Sequence, residues 1–344
     1  MAARAFITGL AGPALTQQER AFVRAAEPWG FILFKRNVQT PAQVAELVQE
    51  CRDVAGRDAP VLIDQEGGRV QRLGPPHWPA YPPGALFGAI YDADPEAGLA
   101  AARLGARLIA SDLKELGIDV DCLPVADVPA QGADPVIGDR AYGHTADKVA
   151  ALAGAAARGL LAGGVLPVVK HIPGHGRANA DSHLRLPVVT TDRATLEATD
   201  FAAFRALAHL PLAMTAHVVF TACDPRLPAT TSRSMIDGVI RGFIGFDGLL
   251  MSDDVSMQAL EGTIADRTAA ALAAGCDVVL HCNGKLDEME QVAANAPVLA
   301  GKAARRAQAA LAMRRKPEPI DLMAARAQFA RLVATPAGES VARA

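Results

Sequence analysis

A chain of 344 residues, 51% hydrophobic and 21% charged, carries enough apolar material for one large core. Its formal net charge of −3 gives no electrostatic footing for nucleic acid or an anionic membrane, and no stretch approaches the roughly 20 consecutive apolar residues of a spanning helix. Five scattered cysteines (Cys51, Cys122, Cys223, Cys276, Cys282), an odd number, argue against a disulfide framework and for a reducing, cytoplasmic compartment.

The opening MAARAFITGLAGPALT has one Arg and a short apolar run broken by Gly and Pro, so it reads as a first strand rather than a signal peptide. From there, short apolar runs alternate with amphipathic patterns. Strands are predicted at Ala5–Thr8, Gly30–Phe34, Val61–Asp64, Asp119–Leu123, Val165–Lys170, Ala213–Ala216, Leu249–Ser252 and Val278–Leu280. Helices are predicted at Gln17–Ala26, Pro41–Val54, Pro95–Leu116, Ala146–Ala162, Arg193–Ala208, Ser232–Arg241, Ile264–Ala274 and Lys285–Ala293, with Asp192 and Thr231 as caps. Eight strand–helix repeats with apolar strands predict an α/β fold, a single-domain (β/α)8 TIM-type barrel spanning 1–344. An open doubly wound sheet is the competing architecture. Beyond Ala300 the Ala- and Arg-rich chain predicts a C-terminal helical extension, about 300–344, broken near Arg314-Arg315-Lys316-Pro317.

In such a barrel the C-terminal strand ends share one rim, and active sites are built there. Seven of the eight predicted strands run into ionisable or amide groups: Lys35-Arg36-Asn37, Asp64-Gln65-Glu66, Asp127, Lys170-His171, His217, Asp253-Asp254 and His281-Cys282-Asn283. The densest stretch is KHIPGHGRANADSH, Lys170 to His183, where Pro173, Gly174 and Gly176 let the backbone leave a strand and fold over a pocket. Asp253 follows the apolar run Leu249–Met251, and Asp254 should face elsewhere because side chains alternate along a strand. Taken alone, Asp-Asp after a strand reads equally well as a helix cap.

DQEGGRVQR (Asp64–Arg72), DPVIGDRAYG (Asp134–Gly143), KHIPGHG with ADSH, TAHV (Thr215–Val218) and GFDGLLMSDDVSM together resemble family 3 of the glycoside hydrolases. More narrowly, they resemble its bacterial β-N-acetylhexosaminidase branch, the NagZ type. The blocks run in the family's order from about Leu33 to Asn283. Departures are mild: Ile172 for the usual Phe, Val255 for Leu, Asp134 for Asn. The resemblance implies Asp253 as nucleophile of a retaining mechanism and His183 with Asp181 as the acid/base pair. A retaining glycosidase forms a glycosyl–carboxylate intermediate while a second group protonates the leaving oxygen, and an imidazole, which titrates near neutral pH, suits that second task. It also places Asp64, Arg72, Arg140, Lys170 and His171 on the sugar. His217 is a floor residue or a structural link between strands six and seven; Asp127 is a further candidate. His175 reads as shaping the loop, and Tyr142 and Trp78 as candidate stacking surfaces.

The implied activity is removal of terminal GlcNAc from peptidoglycan-derived fragments, GlcNAc-1,6-anhydro-MurNAc with or without peptide, in cytoplasmic cell-wall recycling. A monomer without cofactor or metal is expected, acting on an oligosaccharide and not on nucleic acid or membrane. A phosphorylase using the same site is an alternative, since an uncharged acid/base repels an incoming phosphate less. A metal-dependent barrel hydrolase is another, but strand one ends in Gly9-Leu10-Ala11 and offers no His-x-His pair.

Overall fold

The apolar runs pair side by side in the computed structural model, which describes residues 3–334. In chain order the barrel strands are β1 (Arg4–Gly9), β2 (Pro28–Leu33), β3 (Val61–Ile63), β4 (Val120–Asp121), β5 (Leu166–Ile172), β6 (Leu212–Thr215), β7 (Leu249–Asp254) and β8 (Val278–His281). Every neighbouring pair is parallel. β8 returns to β1, with Phe6 opposite Val279 and Thr8 opposite His281, so the sheet closes and the open doubly wound alternative is excluded. The crossovers carry α1 (Gln17–Ala26), α2 (Pro41–Ala55), α3 (Gly84–Ala93), α4 (Pro95–Glu115), α5 (Ala146–Ala162), α6 (Arg193–Ala198), α7 (Asp200–Ala206), α8 (Ile264–Ala274) and α9 (Leu286–Asn295). Two more helices follow, α10 (Gly301–Ala312) and α11 (Leu322–Val333); residues 335–344 of the anticipated extension lie outside the described residues.

Side-chain alternation sorts the strands between two cores. Ile7, Ile32, Leu62, Val120, Val168, Met214, Met251 and Leu280 fill the lumen, while Phe6, Phe31, Ile63, Val169, Ala213, Leu250 and Val279 pack toward the helices. Ala307 and Ala310 of α10 belong to the lumen cluster, so that helix helps close the foot of the barrel. Helix starts follow side-chain capping. Thr16 and Thr263 form reciprocal boxes with Glu19 and Asp266, and Thr40, Asp94 and Asp192 accept first-turn amides.

Three departures from the sequence reading have local causes. The helix expected over Arg193–Ala208 is broken at Thr199, whose hydroxyl donates to the Thr195 carbonyl at 2.6 Å while its backbone leaves helical angles. The segment expected as Ser232–Arg241 is a wider-wound helix, Met235–Phe243, closing with Ile244 N to Val239 O at 2.8 Å, and Ser232 rather than Thr231 caps it through the Met235 amide at 3.1 Å. Helix α3 is absent from the sequence reading, and its Gly84 and Gly88 weaken helix propensity. A Cβ on Gly84 or Gly88 would sit 2.2 Å or 2.0 Å from the carbonyls of Arg140 and Tyr142, so close packing requires them.

At the foot of the barrel one buried carboxylate joins three elements. Asp277 accepts from the Leu250 amide at 2.9 Å, from Arg241 at 2.8 Å and from Arg306 of α10 at 3.1 Å. Removing one member of a buried pair strands its partners, which costs about 3–5 kcal/mol. Asp277→Ala should therefore lower Tm by several degrees in thermal unfolding without changing turnover per folded molecule, since the rim lies at the other end. Full stability, or a specific loss of turnover, would contradict this division of the barrel.

Candidate active site

Immediately after β3 the chain turns into a two-stranded ribbon, Gln65–Gly67 against Val70–Gln71. Gln65 pins it: its Oε1 accepts the amides of Arg72 at 2.9 Å and Leu73 at 3.0 Å. The ribbon thereby brings Asp64, Glu66 and Arg72 around the end of β5, where Lys170 is 2% exposed. Lys170 Nζ meets Asp64 Oδ1 at 2.8 Å and Glu66 Oε1 at 2.7 Å. Arg72 reaches Asp64 Oδ2 at 3.0 Å, and Arg140 grips Glu66 through Nε at 2.9 Å and Nη2 at 2.8 Å. Five charges thus alternate in the order Arg72, Asp64, Lys170, Glu66, Arg140. Burial opposes ionisation of both carboxylates, but the cations overcome it, holding Asp64 far below the usual carboxylate range and Glu66 down at about 2. Burial likewise opposes the Lys170 charge, and its two carboxylates lift its pKa well above the ordinary lysine value. The sequence reading missed Glu66. The signal was present: Glu66 stands two residues from Asp64, hence on the same side of an extended chain.

The loop leaving β5 is held from behind by Asp127, which is fully buried. Asp127 Oδ2 accepts from His171 Nδ1 at 2.7 Å, and Oδ1 accepts the amides of His171 at 3.2 Å and His175 at 2.6 Å. Burial raises the Asp127 pKa, but His171 and the other donors bring it below the usual value, so the carboxylate is ionised. His175 lies beneath the loop with Nε2 3.1 Å from Ser182 Oγ, and burial pushes its pKa down to about 4, leaving the ring neutral. Gly176 passes so close to the Val128 carbonyl that a Cβ would lie 2.1 Å from the oxygen. On this pinned base the loop carries Asp181 and His183 to the rim. His183 Nδ1 lies 2.8 Å from Asp181 Oδ1, which also accepts the His183 amide at 2.9 Å. A carboxylate only accepts, so Nδ1 carries the proton; Nε2 has no protein partner among the described residues. Burial raises Asp181, yet the amide and ring of His183 bring it below the ordinary range.

Asp253 ends β7. Its Oδ1 accepts the Asp254 amide at 2.8 Å. Burial pushes its pKa up, but in acid, where Asp253 titrates, the protonated rings of His217 and His171, that amide and His183 outweigh burial and bring its pKa below the ordinary carboxylate value, so it is ionised at neutral pH. Asp254 is occupied structurally: Oδ1 accepts the amides of Ser256 at 2.9 Å and Cys282 at 3.1 Å, and Oδ2 accepts the Ser256 hydroxyl at 2.6 Å.

One cleft of about 300 Å³ brings together Asp253, Asp181, His183, Asp64, Arg72, Arg140, Lys170 and His171. Of the two further candidates, neither lines it: Asp127 works through His171, and His217 is a buried link between Thr230 and the Asp254 carbonyl. Tyr142 and Trp78 are buried away from the cleft, and the aromatic wall is Phe34, over which the guanidinium groups of Arg36 and Arg72 lie at 4.9 Å and 5.3 Å. Phe34 ended an apolar strand and gave no sequence signal of facing a ligand. Met214, Met257, Leu280 and Cys282 complete the apolar side. Among the described residues no group of three or more His, Cys, Asp or Glu is placed to share a metal ion, and no helix is long and apolar enough to cross a membrane. The cleft thus pairs an ionised carboxylate with an imidazole free at Nε2, beside charged groups able to bind several hydroxyls.

Known proteins share this arrangement of chain. The Glycosyl hydrolase family 3 N terminal domain matches residues 7–312. The Beta-hexosaminidase of Alkalilimnicola ehrlichii is 42% identical over 281 residues, covering 80% of this chain and 79% of that protein. NagZ from Neisseria gonorrhoeae, solved in complex with N-trifluoroacetyl-D-glucosamine, superposes with a TM-score of 0.85 at 31% identity, covering 97% of this chain and 99% of that one. A family 3 beta-N-acetylglucosaminidase from Paenibacillus sp. str. FPU-7 is 32% identical with a TM-score of 0.78; the match covers 95% of this chain and 61% of that longer one.

Glu66 has a pH signature. Its pKa falls from the ordinary 4.5 when unfolded to about 2 when folded, so its ion pairs stabilise the fold fully above about pH 4.5 and are lost as pH falls toward about 2. Glu66→Gln should lower Tm at pH 7 and flatten the decline of Tm with acid below pH 4.5. It should also raise KM about tenfold, by releasing Lys170 and Arg140. An unaltered acid slope with normal KM would show that Glu66 holds neither.

Proposed function

The chain belongs to glycosyl hydrolase family 3 and is a glycoside hydrolase acting on N-acetylhexosamine, and from that premise we propose that it is a retaining exo-β-N-acetylglucosaminidase. Its substrates on this reading are peptidoglycan-derived fragments ending in GlcNAc, and it works as a monomer in the cytoplasm during cell-wall recycling. The observation carrying the proposal is the presence, in one small cleft, of ionised Asp253 and of the His183–Asp181 pair.

In the first step Asp253 attacks the anomeric carbon. Oδ1 already accepts the Asp254 amide, which leaves Oδ2 as the attacking atom. As the glycosidic C–O bond breaks, the protonated His183 gives its Nε2 proton to the departing oxygen, while Nδ1–H stays bonded to Asp181. The negative Asp181 stabilises the imidazolium that acts as acid. In the second step neutral Nε2 takes a proton from water, whose oxygen attacks the anomeric carbon and frees Asp253, so the sugar leaves with its original β configuration. Asp64 accepts from sugar hydroxyls through the lone pairs its cations leave free, and Lys170, Arg72, Arg140 and His171 donate. A cleft of about 300 Å³ is at the small end of ligand pockets and suits one terminal ring, in keeping with exo action.

Three experiments on purified protein test the scheme. A slow 5-fluoro GlcNAc glycoside should leave a mass increment on the peptide holding Asp253, and label on Asp254 would overturn the assignment. His183→Ala should slow cleavage of an alkyl or sugar aglycone by about 10²–10⁴-fold, the usual worth of general acid help, and slow a dinitrophenyl aglycone far less. Azide should then yield a β-glycosyl azide; equal losses for both aglycones and no azide product would remove His183 as the proton donor. Turnover should be indifferent to inorganic phosphate, and formation of GlcNAc 1-phosphate would favour the phosphorylase reading instead.

A further inference from the structure

Behind Asp253 runs a set of buried hydrogen bonds that the two chemical steps leave unused. The Asp253 amide lies 3.3 Å from Thr215 Oγ1, which lies 2.7 Å from Thr230 Oγ1. Thr230 Oγ1 lies 2.7 Å from His217 Nδ1, and His217 Nε2 lies 3.0 Å from the Asp254 carbonyl. Thr215, Thr230 and His217 are all fully buried.

Counting protons gives each bond its direction. A carbonyl oxygen only accepts, so Nε2 carries a hydrogen. Burial is the strongest influence on the His217 ring and lowers its pKa, with His171 acting the same way and Asp253 and Asp254 opposing. The ring is therefore neutral and Nδ1 is bare, so Nδ1 accepts from Thr230. Thr230 also lies 3.1 Å from the Ala216 carbonyl, but a hydroxyl has one proton, and the bare nitrogen at the shorter distance takes it. Thr230 Oγ1 is left to accept from Thr215, and Thr215 to accept from the Asp253 amide. The bonds form a one-way circuit from the amide of Asp253 to the carbonyl of Asp254, and members of such a circuit strengthen one another by polarisation.

The circuit sits where the sheet ladder fails. Met251 stands opposite Val278 on β8, yet Asp254 stands opposite Leu280, so the register slips by one residue just before the strand ends. Toward β8 the Val255 amide still bonds the Leu280 carbonyl at 2.9 Å, but pairing with β6 ends at Met251 opposite Met214, and the circuit takes over on that side.

Resting on the reading of Asp253 as nucleophile, we infer that Thr215, Thr230 and His217 form a positioning relay that ties down the Ser252–Asp253 and Asp254–Val255 peptide groups, and with them the main chain between, and so aims the attacking carboxylate. The peptide held between those two groups bears the Asp254 N–H that occupies Oδ1, so turning it would move both the carboxylate and the choice of free oxygen. Displacing a reacting group by about 1 Å costs on the order of 10²-fold in rate.

Thr230→Val keeps the shape and removes the hydroxyl; Thr230→Ser keeps the hydroxyl. Thr230→Val should lower kcat by about 10- to 100-fold with KM little changed, and slow labelling of Asp253 by the 5-fluoro glycoside in proportion. Thr230→Ser should retain kcat close to that of the parent. In the unaltered protein, long-range ¹H–¹⁵N NMR should find His217 as the Nε2–H tautomer at neutral pH. Undiminished kcat in Thr230→Val, equal losses in the Val and Ser variants, or an Nδ1–H or doubly protonated His217 would each overturn the relay. Should Thr230→Val not fold, Thr215→Val and the NMR of the parent protein decide the matter. Label on a carboxylate other than Asp253 would sink the nucleophile assignment instead, while the tautomer and the Val–Ser contrast would still report on the circuit.

Discussion

The burial of Lys170 is the constraint on which the rim depends. An ammonium that is 2% exposed, at the end of a barrel strand, has to be compensated, and Asp64 and Glu66 do so at 2.8 Å and 2.7 Å. Those carboxylates come from a ribbon that exists because Gln65 ties its return strand, and they in turn fix Arg72 and Arg140. Arg140 belongs to the segment against which the glycines of α3 pack without side chains, so the charge chain is braced by the outer helices as well. What results is a prearranged surface of donors and acceptors, set before any ligand arrives, and such preorganisation is what lets polar groups act strongly on a developing charge.

The two groups proposed to react are held in contrasting ways. Asp253 stands on a strand end, with its main chain bonded from behind and one carboxylate oxygen already committed. His183 stands on a loop, its side chain 65% exposed, and takes its orientation from a single neighbour two residues away. A nucleophile has to be aimed at one carbon and needs rigidity. A proton donor has to serve a departing oxygen in one step and a water in the next, and tolerates a looser mount. The loop is nevertheless not unsupported: Asp127, His175 and the close approach at Gly176 hold its base.

Much of this could be read from the residues, because the relevant signals were local. Near-continuous apolar strands at regular intervals implied the closed parallel barrel, and chemistry-bearing residues at strand ends implied the rim. The motif blocks led to the charged and imidazole side chains Asp64, Arg72, Arg140, Lys170, His171, Asp181, His183 and Asp253, all of which line the cleft. What could not be read depends on contacts between distant segments. The sequence put His171 on the sugar and His175 in shaping the loop, but left His217 open between floor and structural link; that choice is made by distant contacts, which lock His217 between Thr230 and the Asp254 carbonyl. Phe34 faces the cleft because of the lumen's geometry, not its neighbours in sequence, and Tyr142 and Trp78 are drawn into the outer packing. Helix α3, absent from the sequence reading, carries glycines whose purpose is close approach rather than a turn.

The central claim is double displacement at Asp253, and its most direct test is the configuration of the first product. Proton NMR of a β-GlcNAc glycoside during the first minutes of cleavage, before mutarotation, resolves the two anomeric protons of released GlcNAc. Two successive inversions, by Asp253 and then by water, require the β-anomer to appear first and the α-anomer only later, at the rate of spontaneous mutarotation. Initial appearance of the α-anomer would mean a single displacement by water and would contradict a covalent glycosyl–Asp253 intermediate.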